Sequence, residues 1–183
     1  GVFDLQTLLK GIPSSVEIVL IDSTKDGVDQ IARTLMGRTG IDAIHILSHG
    51  SEANLYIGTS DLNVASMSSA YATDLAIIRS ALSENADILL YGCETARGSD
   101  GQSFIDTLAA MTGADVAASA DATGHATFGG DWTLEYDSGV IESAVVINDA
   151  TQSEWVHLLA APVITRTSSP IMYVDFGPAG TAT

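Results

Sequence analysis

The sequence has few basic residues, one cysteine and no long apolar run, and each shortage narrows the class of protein. Seven Lys and Arg stand against 23 Asp and Glu, which gives a formal net charge of -16. Because binding to a phosphate backbone depends on basic side chains, this balance excludes a nucleic-acid partner. One cysteine cannot form an internal disulfide. No run reaches the ~20 apolar residues that a membrane-spanning helix requires, so we expect no insertion into a membrane.

The residues that are present indicate a globular chain in which strand-like and helix-like segments alternate. Hydrophobic residues make up 46% of the sequence, enough for a packed core. Short apolar runs predict strands at 16–22, 41–47, 86–91 and 114–119. Apolar residues at helical spacing predict helices at 4–10, 26–37, 69–82 and 102–112. The pattern is completed by a hairpin at 54–64, an antiparallel strand pair at 132–136 and 140–147, and a closing helix at 150–159.

This order of elements predicts an α/β fold and two regions of the chain. We expect a three-layer sandwich with a mostly parallel central sheet, helices on both faces and an antiparallel C-terminal strand pair. The sequence from Ala160 onward is rich in Pro, Thr and Ser, which predicts a linker and the start of another module. We therefore divide the chain into a domain at 1–159 and a linker with the beginning of a second module at 160–183.

Two of the predicted strands stop at residues that can do chemistry. "IHILSHG" ends at His49 and Gly50, and "ADILLYGC" ends at Cys93. Because the carboxyl ends of parallel strands meet at one edge of a sheet, we expect these residues to lie together. An imidazole that accepts the thiol proton makes the sulfur a strong nucleophile. A glycine beside each reactive residue lets a substrate approach and leaves backbone N–H groups for an oxyanion. The pair predicts a cysteine peptidase.

Two residues in this pattern have competing interpretations. Asp22 ends the predicted strand at 16–22, where it would orient His49, line a substrate pocket or simply begin a turn. A lone buried cysteine is commonly a small core residue, so an inert Cys93 is the alternative to a nucleophile. Chemistry separates the two: a catalytic thiol of lowered pKa should react with iodoacetamide well below about pH 8, and a buried core thiol should not.

The same segments resemble known families. The strands ending in Ser-His-Gly and Gly-Cys resemble those of the caspase-like cysteine peptidases, which include caspases, gingipains, legumain, clostripain, separase and the self-processing domains of large bacterial toxins. "DAIHILSHGSEANLYIG", "NADILLYGCETARG", "TGADVAASADATG" and "GGDWTLE" more closely resemble an uncharacterised domain near the N-termini of very large bacterial surface adhesins with calcium-binding (RTX) or cadherin-like repeats. That similarity covers about residues 4–159. The sequence from Ala161 resembles the start of a cadherin-like or immunoglobulin-like repeat.

The resemblance assigns roles to residues of this sequence. It implies a caspase-like sandwich in which Cys93 is the nucleophile, His49 is the general base and then acid, and the N–H groups of Gly50 and Cys93 form the oxyanion hole. Because the region after the fourth predicted strand shapes the substrate pocket in these peptidases, it also implies substrate contacts for Ser119 and Asp121. The Gln-Ala-Cys-Arg-Gly neighbourhood of caspases is missing here, so an aspartate-specific pocket is not implied.

The expected function follows from these assignments. We expect a cysteine endopeptidase that processes its own chain or its own large secreted adhesin at the bacterial surface, with neighbouring adhesin modules as partners. In the junction "WVHLLAAP", Leu159 is the favoured residue before the cleaved bond. The alternative is a catalytically inactive structural or binding module of such an adhesin. The chemistry requires no cofactor, and the sequence names no metal ligands. The carboxylate excess nevertheless leads us to expect stabilisation by millimolar calcium.

Overall fold

The computed structural model describes residue 2 and residues 4–159 of the chain, and the predicted linker and module at 160–183 lie outside the described residues. The helices have the following bounds: α1 (Leu5–Lys10), α2 (Gly27–Leu35), α3 (Val64–Met67), α4 (Ala72–Ala81), α5 (Gly98–Thr112) and α6 (Asp149–Glu154). The strands have the following bounds: β1 (Ile41–Ile46), β2 (His49–Ser51), β3 (Asn54–Ile57), β4 (Ser60–Leu62), β5 (Leu82–Leu90), β6 (Asp115–Ala118) and β7 (Tyr136–Asp137).

The strands form two sheets. The central sheet has the order β1-β5-β6-β7, with β1, β5 and β6 parallel and β7 antiparallel to β6. A small antiparallel sheet has the order β2-β3-β4, and it contains the predicted hairpin at 54–64. Helices pack around the central sheet. The predicted α/β class, with its mostly parallel sheet and an antiparallel strand pair, is confirmed.

Local sequence signals explain why the main elements form. Asp26 begins α2 because its side chain accepts a hydrogen bond from the Asp29 N–H, one of the four that a helix leaves unpaired at its start. Gly113 ends α5 in the left-handed conformation, with φ of 74°. The last five residues of β5 are all buried, as expected for a strand at the centre of a parallel sheet. Periodicity and capping therefore predict these elements well.

The predicted strand at 16–22 is wrong. In the structure this segment makes no strand pairing, and Ile18 and Leu20 are 44% and 47% exposed. The segment and β1, the edge strand of the central sheet, both line an open pocket of about 420 Å³. β-Branched residues favour an extended backbone, but a strand forms only where a neighbour accepts its hydrogen bonds. Here the segment stays beside β1 without that ladder.

The C-terminal part of the domain also differs from the prediction. The segments 132–136 and 140–147 do not pair with each other; instead Tyr136–Asp137 joins β6. The closing helix is shorter than predicted, because α6 ends at Glu154 and residues 155–159 leave the helix. Trp155 is nevertheless fully buried, against Trp132 at a ring-centroid distance of 5.7 Å. In the described part of the chain, no helix has both the length and the apolar character needed to cross a bilayer.

Candidate active site

The central sheet brings the two predicted reactive residues to one edge. β1 and β5 are parallel neighbours, with Ile46 opposite Leu90, and the Tyr91 N–H donates to the Ile46 carbonyl oxygen at 3.0 Å. Both strands therefore end at the same edge, three residues before His49 and Cys93 respectively. This is the arrangement that the strand-end argument predicts.

Two glycines let the backbones around these residues touch. A Cβ atom on Gly50 would lie 2.9 Å from the Cys93 carbonyl oxygen and would also overlap the Thr95 hydroxyl. A Cβ atom on Gly92 would lie 3.1 Å from the Gly50 nitrogen and 2.8 Å from the same hydroxyl. A side chain at either position would force the two segments apart. The glycines therefore hold the His49–Gly50 segment directly against the Gly92–Cys93 segment.

The thiol of Cys93 is buried and bonded to the backbone of a single residue. Cys93 is 3% exposed, and its sulfur accepts a hydrogen bond from the Thr123 N–H at 3.1 Å and donates to the Thr123 carbonyl oxygen at 3.6 Å. Burial raises the pKa of Cys93 to about 11, although the Thr123 hydrogen bonds oppose the shift. The thiol is therefore protonated at neutral pH, in contrast to the lowered pKa that a catalytic thiol would have.

The imidazole of His49 is buried and neutral. His49 is 5% exposed, and burial lowers its pKa, opposed by the hydrogen bond to Leu159. Its Nδ1 lies 2.9 Å from the Leu159 carbonyl oxygen. Because a carbonyl oxygen only accepts, Nδ1 carries the proton and donates it. A neutral ring with its proton on Nδ1 presents a lone pair at Nε2, as a general base requires.

Residues 157–159 lie as an extended segment beside the loop at 123–125. The His125 N–H donates to the His157 carbonyl oxygen at 2.8 Å, and the Leu159 N–H donates to the Thr123 carbonyl oxygen at 2.9 Å. Between these bonds, Gly124 and Leu158 form an antiparallel bridge. Gly124 has φ of 139°, a conformation that side chains rarely adopt. Backbone hydrogen bonding of this kind is one of the recurring ways in which an extended peptide docks on a protein.

Leu159 links the segment 157–159 to His49 directly and to Cys93 through Thr123. Its side chain is fully buried, its carbonyl oxygen contacts His49, and its N–H contacts the Thr123 carbonyl that also bonds Cys93. A continuous series of backbone contacts thus joins the imidazole to the thiol. The sequence does not single out Thr123, because Thr123 makes these contacts through its main-chain N–H and carbonyl groups and not through its side chain. The neighbouring Gly124 is the local sequence signal that two backbones approach each other closely here.

The remaining predicted site residues lie in turns around this edge. The Asp22 carboxylate accepts from the Thr24 N–H at 2.9 Å and pairs with Lys25 at 2.7 Å, and the Lys25 hydrogen bond leads the interactions that lower the pKa of Asp22 to about 2. These contacts favour the turn interpretation, and the His49 Nδ1 that Asp22 would orient bonds to Leu159 instead. Substrate binding by Asp22 stays a prediction.

Ser119 and Asp121 support the chain after Cys93. The Ser119 carbonyl oxygen accepts from the Ala96 N–H at 2.9 Å, and the Asp121 carbonyl oxygen accepts from the Glu94 N–H at 2.7 Å. The Ser119 hydroxyl is buried and bonds to the backbone of Asp121, whereas the Asp121 side chain is exposed. Both residues thus position the loop that follows Cys93, and their contact with substrate stays a prediction.

Carboxylates cluster at two places where the sequence predicts no metal ligands. Asp87, Asp115 and Glu142 form one group and Asp121, Asp131 and Glu135 the other, each with one oxygen per residue inside a 4.8 Å limit. Such groups are able to hold a hard cation. They arise from contacts between distant parts of the chain, so no sequence spacing predicts them.

Fold and site together define an α/β domain with a buried histidine and cysteine at the carboxyl edge of a parallel sheet. The sequence matches the profile of a family described as a domain of unknown function, DUF4347, over residues 1–159, and the chain belongs to this family. No curated protein and no solved structure matched the chain.

Proposed function

We propose that this domain is a caspase-like cysteine endopeptidase that cleaves its own chain after Leu159. The observation that carries the proposal is the position of Leu159. Its carbonyl oxygen is 2.9 Å from His49 Nδ1, and its N–H bonds to the same Thr123 carbonyl as Cys93. The segment 157–159 is docked through its backbone, as a peptidase substrate must be. Leu159 is thus the residue before the cleaved bond.

The chemistry would proceed in two steps on this arrangement. The Cys93 sulfur bonds to the Leu159 carbonyl carbon while His49 Nε2 takes the thiol proton. Collapse of the tetrahedral intermediate breaks the bond to the Ala160 nitrogen, which leaves with that proton, and a thioester remains. Water then attacks the thioester, His49 again takes and returns a proton, and the Leu159 carboxylate and the Cys93 thiol are released. The reaction consumes one water and needs no cofactor.

The negative charge on the intermediate requires hydrogen-bond donors. The N–H groups of Gly50 and Cys93 are our candidates, because the glycine contacts hold these two backbones together at the sheet edge. In the docked arrangement the Leu159 carbonyl oxygen instead accepts a hydrogen bond from His49 Nδ1. We therefore expect this oxygen to shift toward the two N–H groups as the sulfur attacks. The shift and the protonated thiol both predict slow cleavage.

The proposed setting follows the resemblance stated above. We propose that the domain is part of a secreted or surface-attached bacterial adhesin, where its own chain supplies the peptide substrate and neighbouring modules are its partners. The formal net charge of -16 is compatible with a chain that meets neither nucleic acid nor anionic membrane surfaces.

The burial of the Cys93 thiol favours a second function. Cys93 is 3% exposed, and both of its hydrogen bonds go to the Thr123 backbone. A buried, protonated cysteine of this kind is typical of an inert core residue. The competing proposal is therefore a catalytically inactive structural or binding module of an adhesin, with 157–159 serving as a permanent part of the fold.

Intact-mass analysis of the 183-residue chain over time distinguishes the two. A peptidase yields products that end at Leu159 and begin at Ala160, and neither Cys93→Ala nor His49→Ala yields them. Leu159→Met is the matched control, since it retains the N–H, the carbonyl and an apolar side chain of similar volume. Continued cleavage in Leu159→Met with none in Cys93→Ala supports the proposal. An uncleaved wild type, or equal fragments from Cys93→Ala, establishes the inactive module instead.

A further inference from the structure

A group of three carboxylates, one of them buried, lies at the central sheet and outside the site at His49 and Cys93. We propose that Asp87, Asp115 and Glu142 bind a divalent cation of the size of calcium. This cation would fasten the segment 139–143 to the sheet. The proposal does not depend on peptidase activity.

Strand register places the first two carboxylates side by side. Asp87 on β5 is the register partner of Asp115 on β6. Because paired residues of neighbouring parallel strands project from the same face, their side chains share one face of the sheet. Like charges in such adjacent positions repel each other unless something neutralises them.

The segment 139–143 folds over these two side chains and adds the third. The Val140 N–H donates to Asp115 Oδ2 at 3.1 Å. The N–H groups of Glu142 and Ser143 donate to Asp87 Oδ2 at 3.1 and 2.8 Å. These bonds fix the backbone that carries the Glu142 carboxylate, and one oxygen from each of the three acids lies within 4.8 Å of the others.

The second oxygen of Asp87 is the observation that points to a ligand. Asp87 is 1% exposed, and its Oδ1 is buried without a hydrogen-bond partner in the described residues. A buried carboxylate is costly unless it is paired or coordinates a metal. The ion pairs found in the described part of the chain use other carboxylates: Asp22, Asp29, Glu17 and Glu94. A bound cation would satisfy Oδ1 and neutralise the group.

Geometry and ligand type favour calcium. Calcium binds oxygen at about 2.3–2.6 Å, so two of its ligands lie at most about 5 Å apart, and the three oxygens meet that limit. One ligand oxygen from each acid leaves coordination positions for water, and Glu142 is exposed to solvent. Magnesium is a poorer fit, because it demands shorter, near-octahedral bonds.

The other acidic cluster lacks this signature and serves as a control. Asp121, Asp131 and Glu135 are all exposed, and Asp131 Oδ1 accepts from the Thr133 N–H at 2.7 Å. Asp131→Asn retains that acceptor oxygen while it removes one charge. It is the matched control for loss of a carboxylate from a cluster.

The test uses calorimetric titration of the chelator-treated chain with calcium or magnesium, together with melting temperature. We expect one calcium per chain in the wild type and in Asp131→Asn. Binding should be lost in Asp87→Asn and weakened about tenfold or more in Glu142→Gln, because ligand charge sets calcium affinity. Without cation, Asp87→Asn should melt no lower than the wild type, because it removes a buried charge and keeps an oxygen for the 142–143 N–H groups.

Three results would overturn the site. The first is no calcium binding in the wild type, and the second is unchanged binding in both Asp87→Asn and Glu142→Gln. The third is a stronger response to magnesium than to calcium. If Asp87→Asn does not fold, Glu142→Gln and Asp115→Asn decide the question. Calcium binding is measured independently of self-cleavage. The calcium site can therefore fail while the proposed peptidase activity stands, and the reverse is also true.

Discussion

Two extended segments of this domain, 16–22 and 157–159, have structures opposite to those that their sequences predict. The first is a continuous apolar, β-branched run, yet it makes no strand pairing and leaves Ile18, Val19 and Leu20 exposed. The second was predicted as helix, yet it forms backbone hydrogen bonds with 123–125 and buries Leu159 completely. The comparison shows that a backbone partner and a side-chain pocket, rather than apolar content, decide which segment docks.

The largest expected difference concerns stability. Leu159→Ala in the docked segment should lower the free energy of unfolding by about 2–5 kcal/mol, because the fully buried side chain leaves a cavity. Leu20→Ala in the exposed segment should change it by about 0.5 kcal/mol. Denaturant unfolding of both variants measures this. Equal losses would mean that 16–22 is packed in solution, and the contrast between the segments would disappear.

The pH dependence of Cys93 alkylation tests whether the thiol is buried and protonated while the segment 157–159 is docked. Burial raises the pKa of Cys93 to about 11, so the reactive thiolate is scarce at neutral pH and increases as pH rises toward that value. We expect the iodoacetamide rate to rise about 100-fold from pH 7 to pH 9, tenfold per unit below the pKa. Cys93→Ala gives the blank. A rate that levels off below about pH 8 would show a thiol of lowered pKa and would contradict the buried, protonated state of Cys93.

Loss of the backbone hydrogen bond of Leu159 should make the Cys93 thiol more accessible, and this effect is expected to be smaller. Leu159→Pro removes the N–H that donates to the Thr123 carbonyl oxygen at 2.9 Å. A hydrogen bond contributes about 0.5–1.5 kcal/mol, so alkylation of Cys93 at fixed pH should accelerate up to about tenfold. Leu159→Met, which keeps the N–H, should react like the wild type. If the proline variant also reacts like the wild type, segment 157–159 does not close the site.

The smallest effect is expected at the end of the exposed segment. Asp22→Asn removes the exposed ion pair to Lys25 but keeps an oxygen for the Thr24 N–H. Because solvent screens such pairs, the unfolding free energy should change by little more than the error of measurement. Cleavage after Leu159 and alkylation of Cys93 should be unchanged. A variant that folds normally but alters either reaction would restore Asp22 as a substrate-binding residue.

The parts of the fold that were predicted correctly carry local signals. Helix α2 follows from the Asp26 cap and its apolar spacing, and β5 from a buried apolar run. The hairpin within 54–64 follows from its alternating pattern and the turn at Gly58. The errors at 16–22, 132–147 and 150–159 concern segments whose structure depends on partners distant in the chain.

The candidate site divides in the same way. His49 and Cys93 were found because each follows an apolar strand, and parallel strands carry their carboxyl ends to one sheet edge. Thr123 was missed, although its backbone contacts both Cys93 and Leu159. The group formed by Asp87, Asp115 and Glu142 was missed because strand register and the path of 139–143 bring it together.

The sequence by itself determined the α/β class, most of the helices and strands of the central sheet, and the sheet edge that carries His49 and Cys93. These properties depend on side-chain spacing over a few residues. Only the tertiary structure decided that 157–159 docks beside 123–125, that the Cys93 thiol is buried and protonated, and that the carboxylates of Asp87, Asp115 and Glu142 lie close together. Every residue except proline offers the same backbone donor and acceptor, so local sequence patterns do not encode which distant backbone groups meet.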